Sequence, residues 1–264
     1  PGPPREMQPM FEENVLPRIR EEWPTGIVTA TIHTCGIPES RLEEQVASIL
    51  ALYPKVTAGF CARPFLVDVR LSSTPENQDM LDQAESAVRA EIGEAAFSRG
   101  IPTVAEDLCK KLEEKGLLLA TAESCTGGQI SGTITDIPGA SAWFTGGVVA
   151  YSNSIKQQML NVSPRTLDTN GAVSEQVAGE MARGATEQFG ADTSVAVTGV
   201  AGPSGGTAAK PVGLVYIATV VGGVTEVQCY QFPGNRDAVR QRTTTTALNQ
   251  LRLQVMERME NAVE

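Results

Sequence analysis

Histidine is all but missing from this chain: His33 is the only one among 264 residues. It falls in a different module from the polar motifs described below, so a Ser-His-Asp triad has no imidazole there. The cysteines at 35, 61, 109, 125 and 229 include no Cys-x-x-Cys pair. Zinc ligation is therefore not expected, and an odd number of thiols with no secretory signal fits a cytoplasmic protein with free cysteines. No stretch is long and apolar enough for a membrane-spanning helix. Basic charge is scarce too. A net charge of −10 and a pI near 4.8 oppose binding to a nucleic-acid backbone, and no local basic patch offsets them. What is present is 41% hydrophobic residues, enough for one large core or two smaller ones.

The pattern along the chain favours two. The opening Pro1-Gly2-Pro3-Pro4 reads as a turn before an amphipathic segment, Met10 to Ile19, and residues 1–20 read as the tail of a preceding domain, although a trimmed methionine explains the first residue equally well. From 21 to 92 the order is β-α-β-β-α. Gly26 to Ile32 is β-branched, and Leu42, Val46, Ile49 and Leu50 repeat at helical spacing within Pro38 to Tyr53. Strands follow at Val56 to Cys61 and Phe65 to Leu71, and Thr74-Pro75 opens a helix that runs to about Ile92. This is a small α+β module with helices on one face. It has no Gly-x-x-Gly loop of the kind that clamps a nucleic-acid backbone in KH-type domains, so a structural or partner-binding role is expected. Residues 93–101 form a linker with Phe97 as its anchor. From 102 to 264 strands at Leu117–Ala122, Phe144–Tyr151, Ser194–Val197 and Leu214–Val220 alternate with helices, including Ser154–Leu160, Ser174–Phe189 and Asp237–Met259. The fold class expected is α/β, a three-layer α/β/α C-terminal domain preceded by the smaller α+β one.

Chemistry concentrates in the second domain, at strand ends. Thr121-Ala122-Glu123-Ser124-Cys125-Thr126-Gly127-Gly128 places two hydroxyls and a thiol between a buried strand and a helix start. Unpaired N–H groups at such a start attract phosphate or an oxyanion, although Ser, Thr and Gly are also what an ordinary capped turn prefers. Tyr151-Ser152-Asn153-Ser154-Ile155-Lys156 follows another apolar run. Desolvated at the sheet edge, Lys156 could accept a hydroxyl proton; left on the surface, it is one more solvated lysine. Thr198 and Gly199 open a glycine-rich loop that fits neither a Walker nor a dinucleotide fingerprint: it is either a ligand-approach loop or a long hairpin. Arg236 stands at a helix start, against the dipole, and calls for an anion from a ligand or from Asp237.

In order, Ala122–Gly128, Pro138-Gly139-Ala140-Ser141-Ala142-Trp143-Phe144, Ala150–Asn153, Gly171-Ala172-Val173-Ser174, Gly199-Val200-Ala201-Gly202-Pro203 and Asn235-Arg236-Asp237 closely resemble the CinA family over about residues 100 to 255. Residues 1 to 92 are similar to the end of the family's N-terminal nucleotide-hydrolase domain and its KH-like connecting domain. The resemblance implies a nicotinamide mononucleotide deamidase that releases ammonia and nicotinate mononucleotide without metal or cofactor. It does not imply the family's pyrophosphatase activity, whose domain is absent but for the tail. Position by position, it implies Ser124 as nucleophile, Lys156 as general base and Tyr151 as its assistant. It further implies a substrate site of Cys125, Thr126, Gly127, Gly128, Gly139, Ser141, Thr198, Gly199 and Arg236. The substrate phosphate would sit either at the Gly127-Gly128 helix start or on Arg236. The expected partner is the small-molecule substrate, with no nucleic acid or membrane, and an apolar Leu248–Met259 face suits a homodimer. A competing reading is a nucleotide- or partner-binding module of the same fold without turnover. A third, thiol chemistry at Cys125, lacks a histidine to form the thiolate.

Overall fold

The computed structural model describes residues 2–22, 26–63 and 66–260, so Pro1 and Phe65, both used above, lie outside the described residues. Two compact units emerge, one built mostly from residues before Glu94 and one mostly from Glu94 onward. Among the described residues no helix is long and apolar enough to cross a membrane.

At the start, Pro4 begins helix α1 (Pro4–Met10) in place of the expected turn. Proline suits a first helical position because its missing N–H would be unpaired there anyway. A π-helical stretch, Phe11–Val15, continues into α2 (Leu16–Glu22), and none of these residues is buried. Next come β1 (Val28–Cys35), α3 (Glu39–Leu50), β2 (Thr57–Arg63), β3 (Leu66–Ser73) and α4 (Gln78–Ile92), of which the small unit takes both helices and most of each strand. Its antiparallel sheet has the order β1-β3-β2. In the central β3, alternate residues Val67, Val69 and Leu71 are buried, as a half-buried strand requires. They belong to a core with Leu42 and Val46 of α3 and Leu81, Ala84 and Val88 of α4. A turn of 3-10 helix, Pro75–Asn77, leads into α4; Thr74 Oγ1 accepts from Asn77 Nδ2 at 2.7 Å and makes no cap bond to the backbone.

The larger unit runs α5 (Val104–Lys115), β4 (Leu119–Glu123), α6 (Gln129–Thr135), β5 (Phe144–Val149), α7 (Asn153–Leu160), α8 (Pro164–Asn170), α9 (Glu175–Phe189), β6 (Thr193–Gly199), β7 (Leu214–Val221), β8 (Val224–Gln231) and α10 (Arg236–Glu260). The sheet order is β5-β4-β6-β7-β8. Strands β5, β4 and β6 are parallel, and β7 and β8 return antiparallel through hairpins. Side-chain alternation separates two cores. Leu119, Val195, Val197 and Ile217 meet Leu108 of α5, Ile130 of α6 and Leu251 of α10 on one face. Ala120, Ala122, Ala196 and Ala218 meet Leu160 of α7, Leu167 of α8 and Met181 of α9 on the other. The three-layer α/β/α expectation holds, with a mixed rather than uniform sheet.

Buried charge pins the first face. Arg252 of α10, fully buried, donates to Asp107 Oδ2 of α5 at 3.1 Å and to Asn249 Oδ1 at 3.0 Å. Its guanidinium also lies 5.4 Å from the ring centre of Phe97. Lys111 Nζ also lies 3.8 Å from Asp107 Oδ2, so it is removal of Asp107 that would leave an ion, Arg252, uncompensated in the core.

Candidate active site

Strand β4 is buried along its whole length, so the chain emerges beside β6, where Ser124 N donates to Val197 O at 3.1 Å. The turn that follows needs two glycines: Gly127 (φ 61°) and Gly128 (φ 94°) are both left-handed, a conformation that costs any residue with a Cβ. On the neighbouring strand end, Ser152 caps α7 by accepting from Ile155 N at 3.3 Å. Lys156 follows one turn later. Its side chain reaches back over the end of β5, and Nζ lies 3.2 Å from Ser124 Oγ, 2.6 Å from Ala150 O and 3.4 Å from Tyr151 O.

Lys156 is 1% exposed, and no carboxylate among the described residues pairs with it. Desolvation by burial lowers its pKa from the ordinary 10.5. The three neighbours suit both protonation states. An ammonium would donate to all three oxygens, whereas a neutral amine would donate to the two carbonyls and turn its lone pair on the Ser124 hydroxyl. Cys125 behaves oppositely: burial pushes its thiol up to about 12, which leaves almost no thiolate at neutral pH.

The helix start after Ser124 is already filled. Glu123, itself 0% exposed, turns its carboxylate into the α6 N-terminus. Its Oε2 accepts from Thr126 Oγ1 at 2.7 Å, Gly128 N at 2.9 Å and Ile130 N at 3.0 Å. Its Oε1 accepts from Ser131 N at 2.8 Å and Ser131 Oγ at 2.6 Å. The Gly127-Gly128 start expected as one of two phosphate sites is thus occupied by a side chain of the protein, because a carboxylate meets the orphan amides and the dipole as a phosphate would. On the outer side, Arg240 holds the same turn, donating to Thr126 O from Nη2 at 2.6 Å and from Nε at 3.2 Å. Neither role was read from the sequence. The signal available was an acid closing an apolar strand directly before a small-residue turn, a pattern that serves helix capping.

The remaining candidates separate by position. Thr198, 1% exposed on the strand beside β4, donates to Ala172 O at 2.7 Å, tying the β6 end to the Gly171–Ser174 loop. Gly199 follows it, where a Cβ would press on Leu214 O at 2.7 Å. The glycine-rich stretch is the hairpin loop between β6 and β7, closed by Gly213 N to Val200 O at 2.7 Å, and Lys210 Nζ donates to Asn170 O. Exposed Arg236 donates to Gly202 O at 2.9 Å and Tyr151 Oη at 3.4 Å, rather than to Asp237. Tyr151 meets Lys156 only through its carbonyl; its ring is 62% exposed and its hydroxyl is the one held by Arg236. Gly139 and Ser141 do not join the group. They flank a turn that leads into Phe144, which pairs with Leu119 at the start of β4, whereas Ser124 follows its end. Five residues of strand place them roughly 16 Å from Ser124 in the same chain, at about 3.3 Å per residue. His33 lies on β1, where Nδ1 is 3.2 Å from Arg63 Nη2. Two clefts in the larger unit, about 430 and 420 Å³, are lined by other residues, among them Tyr230 and Gln250 in one and Thr103 and Leu248 in the other.

Comparison with known proteins gives two family matches: residues 102–255 to the CinA C-terminal domain and residues 29–98 to the damage-inducible protein CinA KH domain. A putative competence-damage inducible protein of Alkaliphilus metalliredigens is 39% identical over 260 residues, covering 97% of this chain and 63% of its own length. A CinA-like protein of a Geobacter species is 40% identical over 258 residues, with 98% and 62% covered. The chain thus spans less than two thirds of these relatives. Among solved structures, the competence/damage inducible protein CihA of Agrobacterium tumefaciens is 43% identical with a TM-score of 0.54, covering 58% of this chain and 97% of that one. A CinA superfamily protein of Klebsiella pneumoniae is 33% identical with a TM-score of 0.57, covering 58% and 96%.

Proposed function

The chain belongs to the CinA family, and on that footing we propose that its larger unit is a nicotinamide mononucleotide deamidase working through Ser124 and Lys156. The observation that carries this reading is a fully buried lysine with no carboxylate partner among the described residues, its Nζ 3.2 Å from a serine hydroxyl at a strand end. A serine is a poor nucleophile until a base takes its proton, and burial gives Lys156 a neutral fraction able to do so.

In the first half-reaction Lys156 Nζ takes the Ser124 proton as Oγ attacks the carboxamide carbon. The oxyanion falls to the Cys125 and Thr126 amides, since those of Gly128, Ile130 and Ser131 are engaged by Glu123. The Lys156 ammonium then returns its proton to the departing nitrogen; ammonia leaves, and a nicotinyl ester remains on Ser124. Water, deprotonated by the same amine, cleaves that ester and frees nicotinate mononucleotide. With the helix start filled, the substrate phosphate is assigned to Arg236, whose exposed guanidinium is oriented by Gly202 O and Tyr151 Oη.

The test is ammonia release from nicotinamide mononucleotide, nicotinamide riboside and nicotinamide side by side. The proposal expects turnover of the mononucleotide and a large loss of kcat/KM on removing the phosphate. Binding of the mononucleotide with no ammonia released would instead support the non-catalytic reading.

A further inference from the structure

We propose that Glu123 is the positioning residue of the nucleophile turn, an internal anion that sets Ser124 Oγ against Lys156 Nζ and keeps external anions off the α6 start. The inference rests on the reading of Ser124 as nucleophile. Glu123 is the last residue of β4 and Ser124 the next in chain, so whatever fixes the Glu123 carboxylate fixes the backbone from which Ser124 projects. Five donors fix it: three backbone amides of the α6 start and the hydroxyls of Thr126 and Ser131. Ser131 Oγ is in turn 2.8 Å from Thr121 Oγ1 on β4. The strand and the helix that flank Ser124 are therefore joined through one buried carboxylate.

That count exceeds what a helix cap needs. A Ser or Thr cap supplies one acceptor for one or two amides, whereas here a buried carboxylate accepts from five donors beside the reacting residue. The carboxylate lies where those donors and the α6 dipole converge. It also acts electrostatically on the turn, since Glu123 is one of the groups that raise the Cys125 pKa, after the larger effect of burial. Arg240 on Thr126 O closes the turn from outside, so the main chain carrying Ser124 is held on both sides.

The test uses a fluorophosphonate, which forms an Oγ–P bond at Ser124 as its P–F bond breaks and the hydroxyl proton passes to Lys156. Labelling amplitude counts folded sites, and the rate constant reports how well each site is set. Glu123→Gln and Glu123→Ala are expected to keep the amplitude but lower the rate constant about a hundredfold, the scale of a displacement near 1 Å at a reacting group. Glu123→Asp should fall between, and acetate or formate should restore the rate in Glu123→Ala by refilling the vacated anion site. If Glu123→Ala does not fold, Ser131→Ala and Thr126→Val carry the test, each removing one side-chain donor and each expected to slow labelling severalfold. Unchanged rate constants across these variants would overturn the proposal, as would carboxylate rescue of thermal stability without rescue of rate. Failure of Ser124 to label in the unsubstituted chain would overturn the nucleophile reading itself.

Discussion

At the scale of single residues, burial acts in opposite directions on two neighbouring ionisable groups. It pushes Lys156 toward its neutral amine and holds Cys125 as a thiol, while beside them the Glu123 carboxylate accepts from five donors. Serine rather than cysteine is thus the group that can be activated. The pH dependence follows from the direction of the Lys156 shift. Below its lowered pKa the amine is protonated and cannot take the hydroxyl proton, so kcat/KM should fall about tenfold per pH unit. Above it, activity should level off, and that plateau should begin below the 10.5 of an ordinary lysine. A pH–rate profile checks this; a rising limb that continues to 10.5 would show that burial does not tune this group. Candidate residues were legible in the sequence as residue types at strand ends, Ser124 and Lys156 above all. Their protonation states were not, because those depend on neighbours brought in from distant segments.

At the scale of elements, the dyad depends on how closely α7 lies to α9. Gly184, on the inner face of α9, leaves no room for a Cβ: one placed there would overlap the carbonyl of Leu160 at the end of α7. Ala178, Ala182 and Ala185 on the same helix, against Ala120, Ala122, Ala196 and Ala218 of the sheet, extend the small-residue contact. Gly184→Ala should therefore cost about 1–3 kcal/mol by overpacking. It should also lower kcat by displacing the helix that carries Lys156. Thermal melting and turnover measured on the same preparation check both; full activity would detach the dyad from this helix contact. The elements legible in advance were those with strong periodicity or capping, such as α9, where Ser174 Oγ accepts from Val177 N at 3.4 Å. Strand β8 was not, since its side chains are exposed or half-buried and Thr225, Glu226 and Gln228 break any apolar alternation. Nor was α8, a helix of 7 residues with only Leu167 buried, although Ser163-Pro164 is a fair start signal.

At the scale of the whole molecule, each unit has its own buried core. Leu81 is 1% exposed in the small unit, among Leu42, Val46, Val69 and Leu71. Leu81→Ala should cost that unit about 2–5 kcal/mol. Ammonia release measured below its melting temperature should be unchanged, and a parallel loss of activity would instead tie catalysis to the small unit. The order β5-β4-β6-β7-β8, with two strands reversed, could not be read from a strand–helix alternation, because direction is decided by connections such as the hairpin that follows Gly199. That order nonetheless makes the site. Parallel β5 and β4 deliver Lys156 and Ser124 to the same sheet edge, and β6 beside them supplies Thr198. The most direct test of this account is the rate of ammonia release from nicotinamide mononucleotide by the unsubstituted chain, Ser124→Ala and Lys156→Ala, with circular dichroism confirming the fold of each. A Ser124–Lys156 dyad predicts release by the unsubstituted chain and losses of at least about a thousandfold in each variant, on the scale of removing a nucleophile or its base. Near-normal turnover in either would contradict it.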